Sequence, residues 1–295
     1  MKRLILIFII LASTVLGKTY EVKDVYGEVH KLNRSYSRII SLYPSHTEVL
    51  VGIGAGDALV GTTMNEDLTD LKSQGVTEFK LGDSVEKFIG LKPDLVLVRP
   101  MVENKYRNLI AILKSRGVEV ISLHPKTGYE LEEYWLALGR LSGNEEGTRR
   151  YIEEYKGRLA RLREQGERRR VKAFFEARYS RGLYTNAENS IASYVLEVAG
   201  VENILEESSD RGSTIVPIKH EELLSRGGEI DLYIAQRGVM NRRSLRDIEA
   251  SSGYKLIRGV REGRILLVDE KTMSRPTSKI LDAVEEIERY IEEYY

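Results

Sequence analysis

"SLYPSHTEVLVGIGAGDALVG", residues 41–61, decides the fold. An apolar strand from Arg38 to Leu42 runs into the turn Tyr43-Pro44-Ser45, a helix start follows, and glycines stand at 52, 54 and 56. Strand, turn, helix and glycines together suggest a dinucleotide-phosphate loop. Such a loop needs G-x-G-x-x-G at the turn itself, where bare backbone meets the pyrophosphate. Here the spacing is G-x-G-x-G, and Asp57 stands where the third glycine belongs. The glycines also lie at the wrong end of the helix. Ser45 and Glu48 make S-x-x-E, the pattern of a capping box that opens a helix. The glycines then close that helix. The stretch is read as a βα unit without a nucleotide.

The same rhythm continues outward. "KTYEVKDVYGEVHKL" before it reads as a hairpin turning at Tyr26-Gly27-Glu28. After it come a strand over 58–63, a helix and a buried strand within 84–100, an amphipathic helix over 104–117 and a strand over 118–125. Strands alternating with helices imply a parallel sheet covered on both faces. Residues 129–168 break the pattern and read as helix, interrupted near Ser142-Gly143. The later part is heavily charged but keeps the stripe Tyr151, Tyr155, Leu159, Leu162. An ordinary surface helix and a rigid strut of about 35 Å fit that pattern equally. The rhythm then resumes with a strand over 171–179, a helix over 190–200, strands over 229–236 and 263–269, and a closing helix over 278–295.

Composition narrows the class. The chain has 295 residues, with 45 Lys+Arg against 45 Asp+Glu, a balance that speaks against general nucleic-acid binding. High Lys, Glu and Arg with only three glutamines, at 74, 165 and 236, suggest a thermophilic source. "MKRLILIFIILASTVLGK" opens on Lys2 and Arg3 and runs apolar from Leu4 to Leu16 before the small residue Gly17. That is the plan of a secretory signal peptide over 1–17, cut near Gly17–Lys18; retention as an anchor is the alternative. The run is shorter than the roughly 20 residues a bilayer span requires. With no cysteine, the chain cannot carry the lipid of a lipoprotein and forms no disulfide. A periplasmic or extracytoplasmic location is expected.

"RIISLYPSHTEVLVGIGAGDALVGTT", "LGDSVEKFIGLKPDLVLV" and "NLIAILKSRGVEVISL", followed by "LYTNAENSIASYVLEVAGVENIL", "IKHEELLSRGGEIDLYIA" and "SRPTSKILDAVEEI", occur in this order. In order and spacing they resemble the iron(III)-siderophore and cobalamin substrate-binding proteins of ABC importers, over nearly all of the mature chain. The resemblance implies an α/β fold of two Rossmann-like lobes joined by a single long α-helix, with the ligand cleft between the lobes. The expected division is a first lobe over 18–140, an interlobe helix over 141–169 and a second lobe over 170–295. The resemblance also implies that Pro44, Ser45 and His46 form part of the ligand floor. It implies that Glu86, in "SVEKF", and Glu221, in "KHEELL", dock onto arginines of a membrane permease. Both open predicted helices, where a carboxylate is favoured by the helix dipole in any case. The partners implied are the permease's transmembrane subunits and a cytoplasmic ATPase, with the binding protein a monomer.

Cleft residues should come from the carboxyl ends of the parallel strands. Those ends offer Arg99, His124, Arg178, Tyr179, Tyr184 and Arg237, and the late loop "TMSRPTS" adds Arg275. Lys80 stands where cobalamin-type relatives carry an aromatic residue. The set is rich in Arg and Tyr, and the one tryptophan, Trp135, lies in a helix. Guanidinium groups bind carboxylate, catecholate or phosphate oxygens in bidentate fashion. The expected ligand is therefore an anionic iron(III) chelate, with cobalamin or haem as alternatives. His46 and His124 raise a further alternative, a bare transition metal ion, but no Asp or Glu is placed to complete such a site. His30 and His220 read as surface residues. No resident metal or cofactor is expected. Nor is an enzyme: no Ser-His-Asp arrangement, H-E-x-x-H motif or G-x-S-x-G elbow is legible. A sensor or binding domain of the same fold remains the reading outside transport.

Overall fold

The computed structural model describes residues 20–63, 71, 74–80, 82–166, 170–209 and 213–294. The expected signal peptide lies outside the described residues.

The chain opens with an antiparallel hairpin of β1 (Tyr20–Lys23) and β2 (Val29–Leu32). Its turn is built by Asp24, whose Oδ1 accepts the backbone N–H groups of Tyr26 and Glu28, each at 2.9 Å. The first lobe follows: β3 (Ile39–Ser41), α1 (Pro44–Gly52), β4 (Leu59–Thr63), β5 (Thr77–Phe79), α2 (Val85–Gly90), β6 (Leu95–Val98), α3 (Pro100–Lys105), α4 (Arg107–Ser115) and β7 (Glu119–Ser122). Its five strands form a parallel sheet in the order β5-β4-β3-β6-β7. Two helices lead away, α5 (Leu131–Ser142) and α6 (Glu145–Gly166). The break between them is Gly143, at φ 74°, a left-handed conformation that a side chain would strain. With 22 residues, α6 is about 33 Å long.

The second lobe contains β8 (Val171–Glu176), β9 (Arg178–Tyr179), β10 (Leu183–Asn186), α7 (Ile191–Val198), β11 (Val201–Asn203), β12 (Ile215–Ile218) and α8 (His220–Ser225). It continues through β13 (Leu232–Arg237), α9 (Leu245–Glu249), α10 (Arg258–Arg261), β14 (Ile265–Asp269), α11 (Glu270–Ser274) and α12 (Ile280–Tyr294). Four strands form a parallel sheet in the order β11-β8-β13-β14, and β12-β10-β9 form a separate antiparallel sheet. That second sheet is absent from the sequence reading, which merged β8 and β9 into one strand over 171–179. The helix expected over 104–117 is two helices, α3 and α4, broken at Tyr106.

Strand periodicity explains the layers. Successive side chains of a strand face opposite sides. In β6, Leu95 and Leu97 enter one apolar cluster and Val96 and Val98 another. In β13, Leu232 and Ile234 join that same first cluster, while Tyr233 and Ala235 face a third. The shared cluster also takes in residues of α1, α5, α6, α7 and α12, so one core runs through both lobes. Tyr155 and Leu162 of the α6 stripe are buried in it, and Tyr151 and Leu159 pack partly buried against it.

The capping box expected from Ser45 and Glu48 does not form. Pro44 sits in the first turn of α1, the N-cap position falls on Tyr43, and no side chain caps the helix. Proline suits the first turn because its missing N–H has no partner there, so the helix starts earlier than the serine predicts. The glycines do close α1: Gly54 takes φ 80°, and Ala55 N–H returns to Leu50 C=O at 2.7 Å.

Candidate functional site

The carboxyl ends of β3, β6 and β7 bring three rings and one guanidinium together. The buried Tyr43 ring lies 5.1 Å from His46 and 5.7 Å from His124, and Arg99 stands 4.5 Å over its face. In the second lobe, Arg178 of β9 lies 3.7 Å over the ring of Tyr184 on the neighbouring β10. Arg237 ends β13 and is exposed. Among the described residues, Arg99, Arg178 and Arg237 have no carboxylate partner. Arg99 and Arg178 are each oriented by the aromatic face beneath them, which leaves N–H groups for an anion, although Arg99 Nη2 also donates to Met101 Sδ at 4.0 Å.

Several predicted ligand residues sit elsewhere. Ser45 and His46 are fully buried and offer no exposed contact, while Pro44 is half-buried. Arg275 does not reach for a ligand. Its Nη1 donates to Glu48 Oε1 of α1 at 2.7 Å, and Lys279 Nζ approaches Oε2 at 3.5 Å. The physical reason is burial: Glu48 is 8% exposed, and a buried carboxylate demands a cation. The same segment is bound to the first lobe and α6 by Trp135 Nε1–H donating to Pro276 C=O and by Tyr151 Oη accepting Ser278 N–H. Lys80 is exposed on the turn after β5. Tyr179 is partly exposed beside the half-buried His220. His30 is not a free surface residue either: Asp24 and Glu119 flank its two ring nitrogens at 3.4 and 3.0 Å. Asp24, Glu28 and His30 lie close enough for a metal, but they sit on the hairpin and not at the strand ends.

One buried charge at a strand end is not expected from the sequence. Glu176, fully buried at the end of β8, accepts from Arg243 Nη1 at 2.6 Å, Tyr233 Oη at 2.6 Å and Asn241 Nδ2 at 2.7 Å. Arg243 then stacks 4.1 Å over Tyr179. Only the strand end at Glu176 was a usable signal, because "NRRSLR" reads as an ordinary charged loop.

Both first-lobe histidines are held neutral. Burial lowers His46 to about 3 and His124 to about 4, with Arg99 adding repulsion at each. His46 Nε2–H donates to Leu123 C=O at 3.0 Å, which leaves Nδ1 as a bare acceptor. Unfolding restores both to near 6.5. The unfolded chain therefore binds more protons between those values. Stability should be full above about pH 6.5 and fall as pH drops towards 4, by up to roughly 1.4 kcal/mol per pH unit for each ring. Urea denaturation between pH 7.5 and 5 should register that slope, and a His46→Gln, His124→Gln variant should flatten it. An unaltered slope in the variant would refute the assignment.

Glu86 and Glu221 are exposed, each in the first turn of a short helix, α2 and α8. A cavity of about 580 Å³ lies apart from the arginines, beneath the hairpin, and meets the site at His124.

Two α/β lobes with a helix between them and, among the described residues, cations without a carboxylate partner at their strand ends have the plan of a two-lobe binding protein. Residues 39–272 match the periplasmic binding protein family, and the chain belongs to it. Among curated proteins it is 24% identical over 274 residues to the uncharacterized ABC transporter substrate-binding lipoprotein YvrC of Bacillus subtilis, covering 90% of this chain and 83% of that one. It is 26% identical over 261 residues to the vitamin B12-binding protein of Vibrio cholerae, covering 86% and 88%. Among solved structures, one described as a possible iron-binding (periplasmic solute-binding) protein from Staphylococcus epidermidis superposes with a TM-score of 0.75 at 25% identity, covering 89% of this chain and 100% of that one.

Proposed function

We propose that this chain is the extracytoplasmic solute-binding protein of an ABC importer, and that its cargo is an anionic iron(III) chelate of the siderophore kind. The observation that carries this reading is the set of three guanidinium groups, Arg99, Arg178 and Arg237, at the strand ends of both lobes and without a carboxylate partner among the described residues. Arginines without a carboxylate partner, two of them (Arg99 and Arg178) poised on tyrosine faces, suit a ligand that brings its own oxygen anions. Pro44, Lys80, Tyr179 and Tyr184 complete the proposed contacts. The lobes divide near residues 140 and 170, and the continuous core between them supports a small closure. The loaded monomer offers Glu86 and Glu221 to the permease, whose ATPase drives release. Unlike the lipoprotein relative, this chain has no cysteine to carry a lipid.

Cobalamin is the second reading, favoured by the vitamin B12-binding relatives. Thermal-shift binding separates the two, since a ligand that binds only the folded state raises the melting temperature. At a hundredfold excess over Kd the stabilisation is about 2.7 kcal/mol. The panel is ferric catecholate, hydroxamate and citrate complexes, haem, cobalamin, zinc and manganese. A rise with an anionic ferric chelate, reduced in Arg178→Ala and Arg237→Ala, is the expected result. A rise with cobalamin alone moves the cargo to the second reading. Silence across the panel overturns both.

A further inference from the structure

The two parallel sheets share one topology. The order β4-β3-β6-β7 in the first lobe corresponds to β11-β8-β13-β14 in the second. Accordingly β6 and β13 are equivalent strands, each lying between its lobe's opening strand and the strand beyond. Both deliver the same pair of side-chain types at their carboxyl ends. After β6 come Arg99, Pro100 and Met101; β13 ends on Arg237 and continues into Gly238, Val239 and Met240. Met101 is 62% exposed, Val239 83% and Met240 37%. A single exposed apolar residue means little. Here large apolar side chains are left exposed at two equivalent positions, each close in sequence to a guanidinium with no carboxylate partner among the described residues, and Arg99 Nη2 donates to Met101 Sδ at 4.0 Å. Exposed apolar surface rimmed by charge marks a place that a partner covers.

We infer that the cargo is amphiphilic: its anionic donor groups meet Arg99 and Arg237, while an apolar periphery of the same molecule covers Met101, Val239 and Met240. The charge fixes the occupant, because a purely apolar partner would strip water from two guanidinium groups without replacing it. The inference rests on the chelate reading and adds a demand on the ligand's outer edge.

Matched iron(III) complexes of catechol and of 4-tert-butylcatechol test it. They share donor atoms and charge and differ only in the apolar fringe. Affinity is read from quenching of intrinsic protein fluorescence, at one stoichiometry and pH. The butylated complex should bind the whole protein at least about tenfold tighter. A Met101→Ser, Val239→Ser variant, changed only at exposed positions, should bring the two affinities together. Equal affinities in the unmodified protein would overturn the inference and leave the anion reading standing. A preference that survives in the variant would overturn it too, by moving the apolar contact elsewhere. If neither complex binds, the chelate reading itself fails, and this inference with it.

Discussion

A Glu86→Ala, Glu221→Ala variant should bind its chelate as the unmodified protein does and lose uptake by on the order of a hundredfold or more. Both carboxylates are exposed, and each stands in the first turn of a short helix, one per lobe. Glu86 is held more acidic than usual by its own backbone N–H and by Ser84. An exposed ion pair contributes little to folding, so neither residue is needed for stability. Two carboxylates on a rigid body act differently towards a partner. They set orientation and encounter rate together, and losing both removes a two-point contact. The measurement is uptake of a radio-iron chelate in cells carrying the variant, beside its affinity in solution. Full uptake with unchanged affinity would leave the two glutamates as helix-end charges only. Lost affinity would place them at the cargo instead.

An Arg243→Ala variant should destabilise the protein by about 3–5 kcal/mol, because it strands a buried charge. Glu176 is wholly buried, and Arg243 is the cation among its three bonded partners. Tyr233 and Asn241 would keep their hydrogen bonds to the carboxylate but supply no charge. Glu176→Gln in the same background should recover part of the loss, since a neutral amide needs no cation. Denaturant unfolding of the three proteins decides the matter. A loss below about 1 kcal/mol for Arg243→Ala would mean that water reaches Glu176 and that the pair is not structural. Because Arg243 also stacks on Tyr179, the variant should in addition loosen that ring.

The elements were legible where a pattern is local. β6 reads as a continuous apolar run behind a Pro-marked turn, and it is a central strand buried on both faces. The end of α5 reads from Ser142-Gly143, because the left-handed turn needs glycine. The start of α1 was misread, because serine and proline both signal an N-terminus and the proline, one residue earlier, prevails. β9, β10 and β12 are not legible in the sequence, since they are only two to four residues long and pair only with one another.

By itself, then, the sequence determined the alternation of strand and helix and its interruption over 129–168, and which strand ends carry arginine, since each of these is written in neighbouring residues, while the two-lobe plan came from the order of motifs along the whole chain. Only the tertiary structure decided what each charge does. Arg275 and Glu48 stand 227 residues apart and neutralise each other between the second lobe and the first. Arg243 is spent on Glu176, 67 residues away, whereas Arg99, Arg178 and Arg237 are left unpaired among the described residues. No local pattern separates these arginines. Whether a guanidinium pairs within the protein or waits for a ligand depends on which carboxylates folding takes out of water, and that is settled by packing between distant segments.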